Sequence, residues 1–329
     1  MLTDKFGRFH NYLRISITEN CNLRCTYCMP AEGIKLTPKA HLMTADEIVE
    51  IAKTFVGFGV NKIRLTGGEP LVRKDAKEII QRLSNLNIEL AITTNGVLVD
   101  EYIDTFKNAG LQNINVSIDS LQKDKYNQIT RRDEFDRVTR NIDLLLAKHF
   151  KVKINVVLIK GFNDNEILDF IHWTKDKNVQ IRFIEFMPFD GNQWNKEKLV
   201  SYKEILNTVE NFYTKNQLIR EQDKPNDTAK NYSIKNFKGS LAIISSVTNP
   251  FCDSCNRIRL TADGKLKNCL FSSTETSILD VMRAGNSIIP FIEKNILSKH
   301  KIRGGFDDEN EFSNPLNFNK NRSMIAIGG

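Results

Sequence analysis

The sequence predicts an α/β fold: a parallel sheet of six strand–helix units curled into an open or partial barrel. Five amphipathic stretches separate six short β-branched runs. Strands and helices alternating at this spacing form right-handed βαβ units, hence a parallel sheet. The residues directly after the runs are polar, small or reactive, and parallel α/β folds bind ligands beyond the carboxyl ends of their strands.

The strand candidates are Tyr12–Thr18, Lys62–Thr66, Glu89–Thr94, Asn113–Asp119, Lys153–Ile159 and Gln180–Met187. The helical stretches are Thr44–Phe58, Asp75–Asn85, Val99–Asn108, Phe135–Lys148 and Asn165–Lys177. Thr44 followed by Glu47 reads as a helix cap with its reciprocal partner. After about Gln193 the pattern changes. Lys196–Phe212 reads as helix, Gln217–Phe237 as a polar loop or lid, Ser240–Ser246 as strand, and Arg303–Asn321 as polar with little periodicity. Two parts follow, 1–190 as the barrel and 191–329 as a smaller C-terminal domain.

The 329 residues are 40% hydrophobic and 26% charged, which suits a folded chain. No apolar run is long enough to span a membrane, and no signal peptide is visible, so a cytoplasmic location is expected. A net charge of +7 reads first as a solvated basic surface and second as a site for an anion such as a nucleotide. No basic, aromatic-interleaved stripe points to DNA or RNA.

All six cysteines fall in two trios, Cys21, Cys25, Cys28 and Cys252, Cys255, Cys269. Clustered cysteines in a cytosolic chain indicate metal or redox chemistry rather than disulfides. The first trio, Cys-x3-Cys-x2-Cys, can hold three corners of an iron–sulfur cubane and leave one iron open. Structural zinc would need a fourth ligand, and His10 and His41 are poorly spaced for it. The second trio, taken alone, fits a zinc ribbon as well as an iron–sulfur cluster; its missing fourth ligand tilts it towards a cluster with one open iron.

The cysteine loop after the first strand, with Tyr27 before Cys28, and Gly67-Gly68-Glu69-Pro70 after the second strand resemble the radical S-adenosylmethionine superfamily. The resemblance narrows to the GTP 3′,8-cyclase family through Asp4-x-x-Gly7-Arg8, Leu13–Ser16, Lys62–Leu71, Thr93–Gly96, Asn115–Asp119, Asn155–Val157, Lys160-Gly161, Ile181–Met187, the second trio and the terminal Gly328-Gly329. Glu19-Asn20 before Cys21 departs from the family, which often has Asp and a basic residue there.

That resemblance implies a partial (βα)6 TIM-like barrel with a C-terminal iron–sulfur domain, two [4Fe–4S] clusters and S-adenosylmethionine. It implies a lyase of molybdenum cofactor biosynthesis. Hydrogen is taken from ribose C3′ of GTP, C3′ attacks guanine C8, and reduction gives 3′,8-cyclo-7,8-dihydro-GTP. It further implies an electron donor such as flavodoxin or ferredoxin and a hand-off to cyclic pyranopterin monophosphate synthase; a homodimer is left open. The implied cofactor ligands are Tyr27, Gly68, Ser117 and Met187, although core packing explains Met187 nearly as well. The implied GTP ligands are Arg14, Arg64, Thr93, Lys160, Arg257, Ile258 and Arg259, with Arg182, Gly328 and Gly329 as further candidates. Arginines inside parallel strands want an interior anion, because such strands are normally apolar. The terminal glycines read either as a frayed end or as a thin tail reaching the site. A peptide-modifying radical enzyme and a non-enzymatic redox sensor are the alternatives.

Overall fold

The computed structural model describes residues 1–29, 33–306 and 308–328. Six strands follow one another in parallel: β1 (Tyr12–Ser16), β2 (Lys62–Thr66), β3 (Glu89–Thr94), β4 (Asn113–Ser117), β5 (Lys151–Leu158) and β6 (Gln180–Glu185). Helices α1 (Ala45–Gly57), α2 (Ala76–Ser84), α3 (Ile103–Asn108), α4 (Lys123–Thr130), α5 (Phe135–Ala147) and α6 (Ile167–Trp173) connect them. The expected cap of α1 is present: Thr44 Oγ1 accepts from Glu47 N at 3.2 Å, and the Glu47 carboxylate accepts from Thr44 N at 2.7 Å.

Short segment α4 escapes the periodicity reading because it is polar and buries only Tyr126, Ile129 and Thr130. The stretch from Lys196 to Phe212 is not one helix. A 3-10 turn at Lys196–Lys198 precedes α7 (Tyr202–Phe212), which starts where Ser201 and Glu204 cap it reciprocally.

The C-terminal strands join the barrel sheet. These are β7 (Leu218–Arg220), β8 (Lys230–Ile234), β9 (Ser240–Ile244), β10 (Arg257–Leu260), β11 (Lys265–Lys267) and β12 (Thr276–Ser277). The order is β12-β11-β10-β1-β2-β3-β4-β5-β6-β9-β8-β7. Strand β10 lies parallel to β1, and β9 parallel to β6, so the sheet continues across the expected boundary after residue 190. The segment Gln217–Phe237 is therefore a hairpin, β7–β8, rather than a loop; only its connection reaches over the barrel mouth.

Helices α8 (Leu279–Arg283) and α9 (Ile289–Leu297) follow, then α10 (Glu309–Ser313) and α11 (Met324–Ile327). The stretch from Arg303 to Asn321 lacks helical period but is not unstructured. Phe306, Phe312 and Phe318 pack with Phe189 and Phe271 into a second apolar cluster beside Cys269. Among the described residues no helix is long and apolar enough to cross a membrane.

Glu185, fully buried at the end of β6, ties these parts together. Its carboxylate accepts from Tyr202 N at 2.9 Å, Val247 N at 2.7 Å, Thr248 N at 3.0 Å and the Thr248 hydroxyl. Replacing Glu185 with Ala leaves these buried donors unmatched and should cost on the order of 3 kcal/mol. A denaturant midpoint equal to the wild type would contradict this role.

Candidate active site

The first cysteine loop leaves the carboxyl end of β1 and is pinned on two sides. On one side Gly68 N donates to Thr18 O and Glu69 N to Asn20 O, each at 2.8 Å. A Cβ on Gly68 would lie 2.5 Å from Asn20 O and 2.7 Å from Glu19 O. The bare glycine is thus required by the approach of two backbones. On the other side Arg24 N and Thr26 N donate at 2.9 Å to Thr130 O and Ile129 O, at the end of the unforeseen α4.

The three thiols are half-buried and close enough to oppose one another's ionisation. Burial, then Glu69, pushes Cys21 up to about 11. Burial, then Cys28 and Asp119, raises Cys25 well above the usual thiol range. Protonated thiols release protons when they take a metal centre. Three sulfurs and no competing base in one loop suit a thiolate-held cluster with an open corner. Among the described residues no group of three His, Cys, Asp or Glu side chains is placed to hold a single metal ion. Tyr27 donates to Asp119 Oδ2 at 2.7 Å and lines a cavity of about 240 Å³ with Ile129, Ile159, Phe162 and Phe186. Gly68 and Ser117 line neither this cavity nor the larger one.

The larger cavity, about 280 Å³, is walled by residues from all eight parallel strands, which shows the sheet curling round it. Arg14, Arg64, Thr93, Arg182, Met187, Arg257 and Arg259 line it, as do Cys252, Cys255 and Cys269. Met187 also packs on the aromatic cluster, which is the packing reading of it. Ile258 does not line the cavity: strand alternation turns it outward into the core, fully buried. Nor does Lys160, half-exposed beyond β5 with its ammonium 2.6 Å from Glu204 Oε1.

Sequence reading missed Tyr12, Lys62, Lys153, Asn113, Asn115 and Asn155, all of which line the cavity. The alternation Lys151-Val-Lys153-Ile-Asn155-Val was the available signal, polar on one face and apolar on the other. Among the described residues Asp227, from the β7–β8 connection, is the one carboxylate in a wall of seven cationic side chains.

The crowding is visible in the titrations. Burial, then Arg182, Arg64 and Lys62, lowers Lys153 to about 7. Burial lowers Arg14 and Arg182 to about 10 and Arg259 to about 9. Burial alone would raise Tyr12, but Arg64, Arg14 and Arg257 bring it down to about 7. Arg64 Nε donates to the Tyr12 hydroxyl at 2.7 Å. Asn115 Oδ1, Asn155 Oδ1 and Arg257 Nη1 are buried without a partner among the described residues. Such a wall is satisfied by a polyanion with further polar groups.

The second trio differs electrostatically from the first. Burial acts to raise Cys255, but Lys299 and Arg257 bring it to about 7. Lys299 Nζ lies 3.5 Å from Cys255 Sγ, and Arg303 N 3.4 Å from Cys252 Sγ. The donor set again suits a cluster of three thiolates.

The tail is docked. Ile325 and Ile327 are buried, and Arg259 Nη1 donates to Gly328 O at 2.9 Å. Gly328 has φ +80°, and a Cβ there would meet Thr66 Oγ1 at 2.6 Å and Ser16 Cβ at 2.7 Å. It therefore sits over the carboxyl ends of β1 and β2, and the frayed-end reading does not hold for Gly328. Gly329 lies outside the described residues.

Two family models match the chain, the Radical SAM superfamily over residues 15–174 and Molybdenum Cofactor Synthesis C over residues 179–303. The chain is 43% identical over 333 residues to GTP 3′,8-cyclase of Alkaliphilus oremlandii, covering all of both chains. It is 47% identical over 335 residues to the mitochondrial GTP 3′,8-cyclase of Arabidopsis thaliana, covering all of this chain and 84% of that one. It is 47% identical over 333 residues to human molybdenum cofactor biosynthesis protein 1, covering 99% of this chain but 51% of that one. The chain spans about half the length of the relatives that bear the latter name. Among solved structures, Streptococcus suis SuiB bound to S-adenosylmethionine matches with a TM-score of 0.56 and 17% identity, over 83% of this chain and 65% of that one, a likeness of fold. The chain belongs to the radical SAM superfamily and, within it, to the family of GTP 3′,8-cyclases.

Lys153 and Tyr12 give the cavity a pH dependence. As pH rises through about 7, Lys153 loses its proton and Tyr12 gains a negative charge, and both remove positive charge. Calorimetry with inorganic tripolyphosphate should show affinity falling more between about pH 6 and pH 8 in the wild type than in Lys153→Met. Below neutrality that variant should bind roughly tenfold or more weakly, one charge-assisted contact being worth about 1.5–3 kcal/mol. Parallel pH profiles would place the polyanion elsewhere.

Proposed function

We propose that this chain cyclises GTP, joining ribose C3′ to guanine C8, as the first committed chemistry towards the molybdenum cofactor. The observation that carries the reading is the larger cavity. It bears seven cations, it abuts the second trio, and it lies in a chain aligned end to end with a bacterial GTP 3′,8-cyclase.

In this reading Arg14, Arg64, Lys153 and Arg182 hold the triphosphate, by forks and point charges suited to phosphate oxygens. Lys160 is not needed for that task. Arg257 and Arg259 lie nearest the second trio and orient the nucleoside. The unpartnered amide oxygens of Asn115 and Asn155 accept from ligand hydroxyl or amino groups. The carbonyl of Gly328 is held by Arg259, a cavity-lining arginine, next to Ser16 and Thr66 at the ends of β1 and β2. Cys21, Cys25 and Cys28 would hold one [4Fe–4S] cluster, and Cys252, Cys255 and Cys269 a second that would supply a binding site for the guanine.

When bound, the reduced first cluster and S-adenosylmethionine supply the 5′-deoxyadenosyl radical that removes hydrogen from C3′. In this reading Tyr27, which lines the cavity of mixed polar and apolar residues with Ile129 and Phe162, meets the adenine, and Gly68, Ser117 and Met187 are the further cofactor contacts that the family resemblance implies. The chain's own contribution is position: a substrate gripped at its triphosphate has one reachable C3′. Residues 1–190 then serve radical generation and grip the triphosphate, while 191–329 complete the substrate site with the second trio, Arg257 and Arg259. A cytoplasmic setting, a low-potential donor such as flavodoxin or ferredoxin, and a downstream synthase for cyclic pyranopterin monophosphate complete the proposal.

The test is anaerobic turnover with S-adenosylmethionine, dithionite and GTP. Mass spectrometry should find 3′,8-cyclo-7,8-dihydro-GTP and 5′-deoxyadenosine together. Gly328→Val, whose side chain meets Ser16 and Thr66, should keep its iron and lose most cyclic product. 5′-Deoxyadenosine formed with GTP recovered unchanged would refute the cyclase reading.

A further inference from the structure

The motif Asp4-x-x-Gly7-Arg8 plays no part in the chemistry above, yet it is among the most tightly bonded parts of the chain. Residues 2–10 fold back on themselves: His10 N donates to Leu2 O at 2.8 Å, Asp4 N to Arg8 O at 3.1 Å, and Gly7 N to Asp4 O at 3.0 Å. Gly7 makes the turn with φ +78°. The Asp4 carboxylate accepts from Phe6 N at 2.9 Å, Arg8 N at 3.1 Å and Arg8 Nε at 2.6 Å, and faces His10 Nε2 at 3.1 Å. Asp4 and Arg8 are buried.

The rest of the Arg8 fork reaches across the chain. Its Nη1 donates to Cys252 O and to Lys301 O, and its Nη2 to His300 O, each at 2.8 Å. One guanidinium therefore joins the loop that bears Cys252 to the segment 299–303. That segment supplies two polar contacts to the second trio: Lys299 to Cys255 Sγ and Arg303 N to Cys252 Sγ. Lys299 also donates to Arg257 O at 3.0 Å, which fixes it to the start of β10. A fork that is held from behind by one carboxylate and serves three carbonyls has fixed geometry; an ammonium cannot reproduce it.

We propose that Asp4 and Arg8 are positioning residues for the metal centre of the second trio, holding the Cys252 loop and its donor segment in register. This rests on the reading that Cys252, Cys255 and Cys269 hold an iron–sulfur cluster. Neither residue lines either cavity described above; they act through Cys252, Lys299 and Arg303. The amino terminus thereby governs a centre assembled from the last third of the chain.

The experiment isolates each centre by background. In Cys25→Ala, anaerobic reconstitution should leave only the second cluster, about four irons. Adding Arg8→Gln or Arg8→Lys should bring that towards none, with the broad thiolate-to-iron absorption lost. In Cys252→Ala, where only the first cluster loads, the same changes should leave about four irons in place. Asp4→Asn, the milder change, keeps the fork and should quicken iron release from the second cluster to a ferrous chelator by roughly tenfold, while release from the first is unchanged. Equal iron loss in both backgrounds would reduce Arg8 to a general stabilising role and overturn the proposal. Full loading of Arg8→Gln in the Cys25→Ala background would also overturn it. Zinc or no metal in Cys25→Ala alone would remove the reading on which it rests, a result visible before Arg8 is changed.

Discussion

The parallel pairing of β10 with β1 is the constraint on which the rest depends. Tyr12 lies opposite Arg257 and Arg14 opposite Arg259. Cys21 lies just beyond the end of β1, and Cys255 just before the start of β10. Because the two strands run the same way, one register sets the two trios towards opposite ends of this strand pair, with the arginines between them. The same pairing covers an edge of the sheet that the first six strands leave open, as β9 does at β6. A separate C-terminal domain packed on the barrel from outside would give none of this; strands inserted at both edges make the second trio part of the barrel wall.

The cost of that arrangement is electrostatic. Arginines and lysines directed inward from adjacent strands repel one another, and several are held below their ordinary proton affinities by burial and by one another. A structure that merely needed a stable core would place apolar side chains there. On the proposed function a polyanion relieves that charge. The first trio contrasts with this: around it stand Asp119 and Glu69, which oppose thiolate formation, while Lys299 and Arg257 favour it at Cys255. The thiols of the two trios are thus tuned in opposite senses by their immediate residues.

Much of this was legible in the sequence. β2 and β3 match their expected bounds, the α1 cap is as read, and both cysteine trios stand out by spacing alone. What was not legible has local reasons. Helix α4 buries too few apolar residues to show a period, yet its end holds the cysteine loop. Lys160 enters the expected ligand set through the family resemblance, whereas the alternation within β5 is what turns Lys153 inward. Ile258 fails for the same reason, lying between two inward arginines. The aromatic residues at 306, 312 and 318 follow no helical or strand period, so their common cluster appears only in three dimensions. The docking of Gly328 depends on a contact with Arg259 across most of the last quarter of the chain.

The central claim is that the cavity between the trios is built for a nucleoside triphosphate, gripped mainly at its phosphates. Equilibrium binding of GTP, GMP and guanosine to the anaerobically reconstituted protein tests it most directly. Each phosphate removed withdraws contacts worth about 1.5–3 kcal/mol apiece. GTP should therefore bind at least about a hundredfold more tightly than guanosine, with GMP between, and the gap should narrow as salt is raised. Guanosine binding as tightly as GTP, with no dependence on salt, would contradict the account.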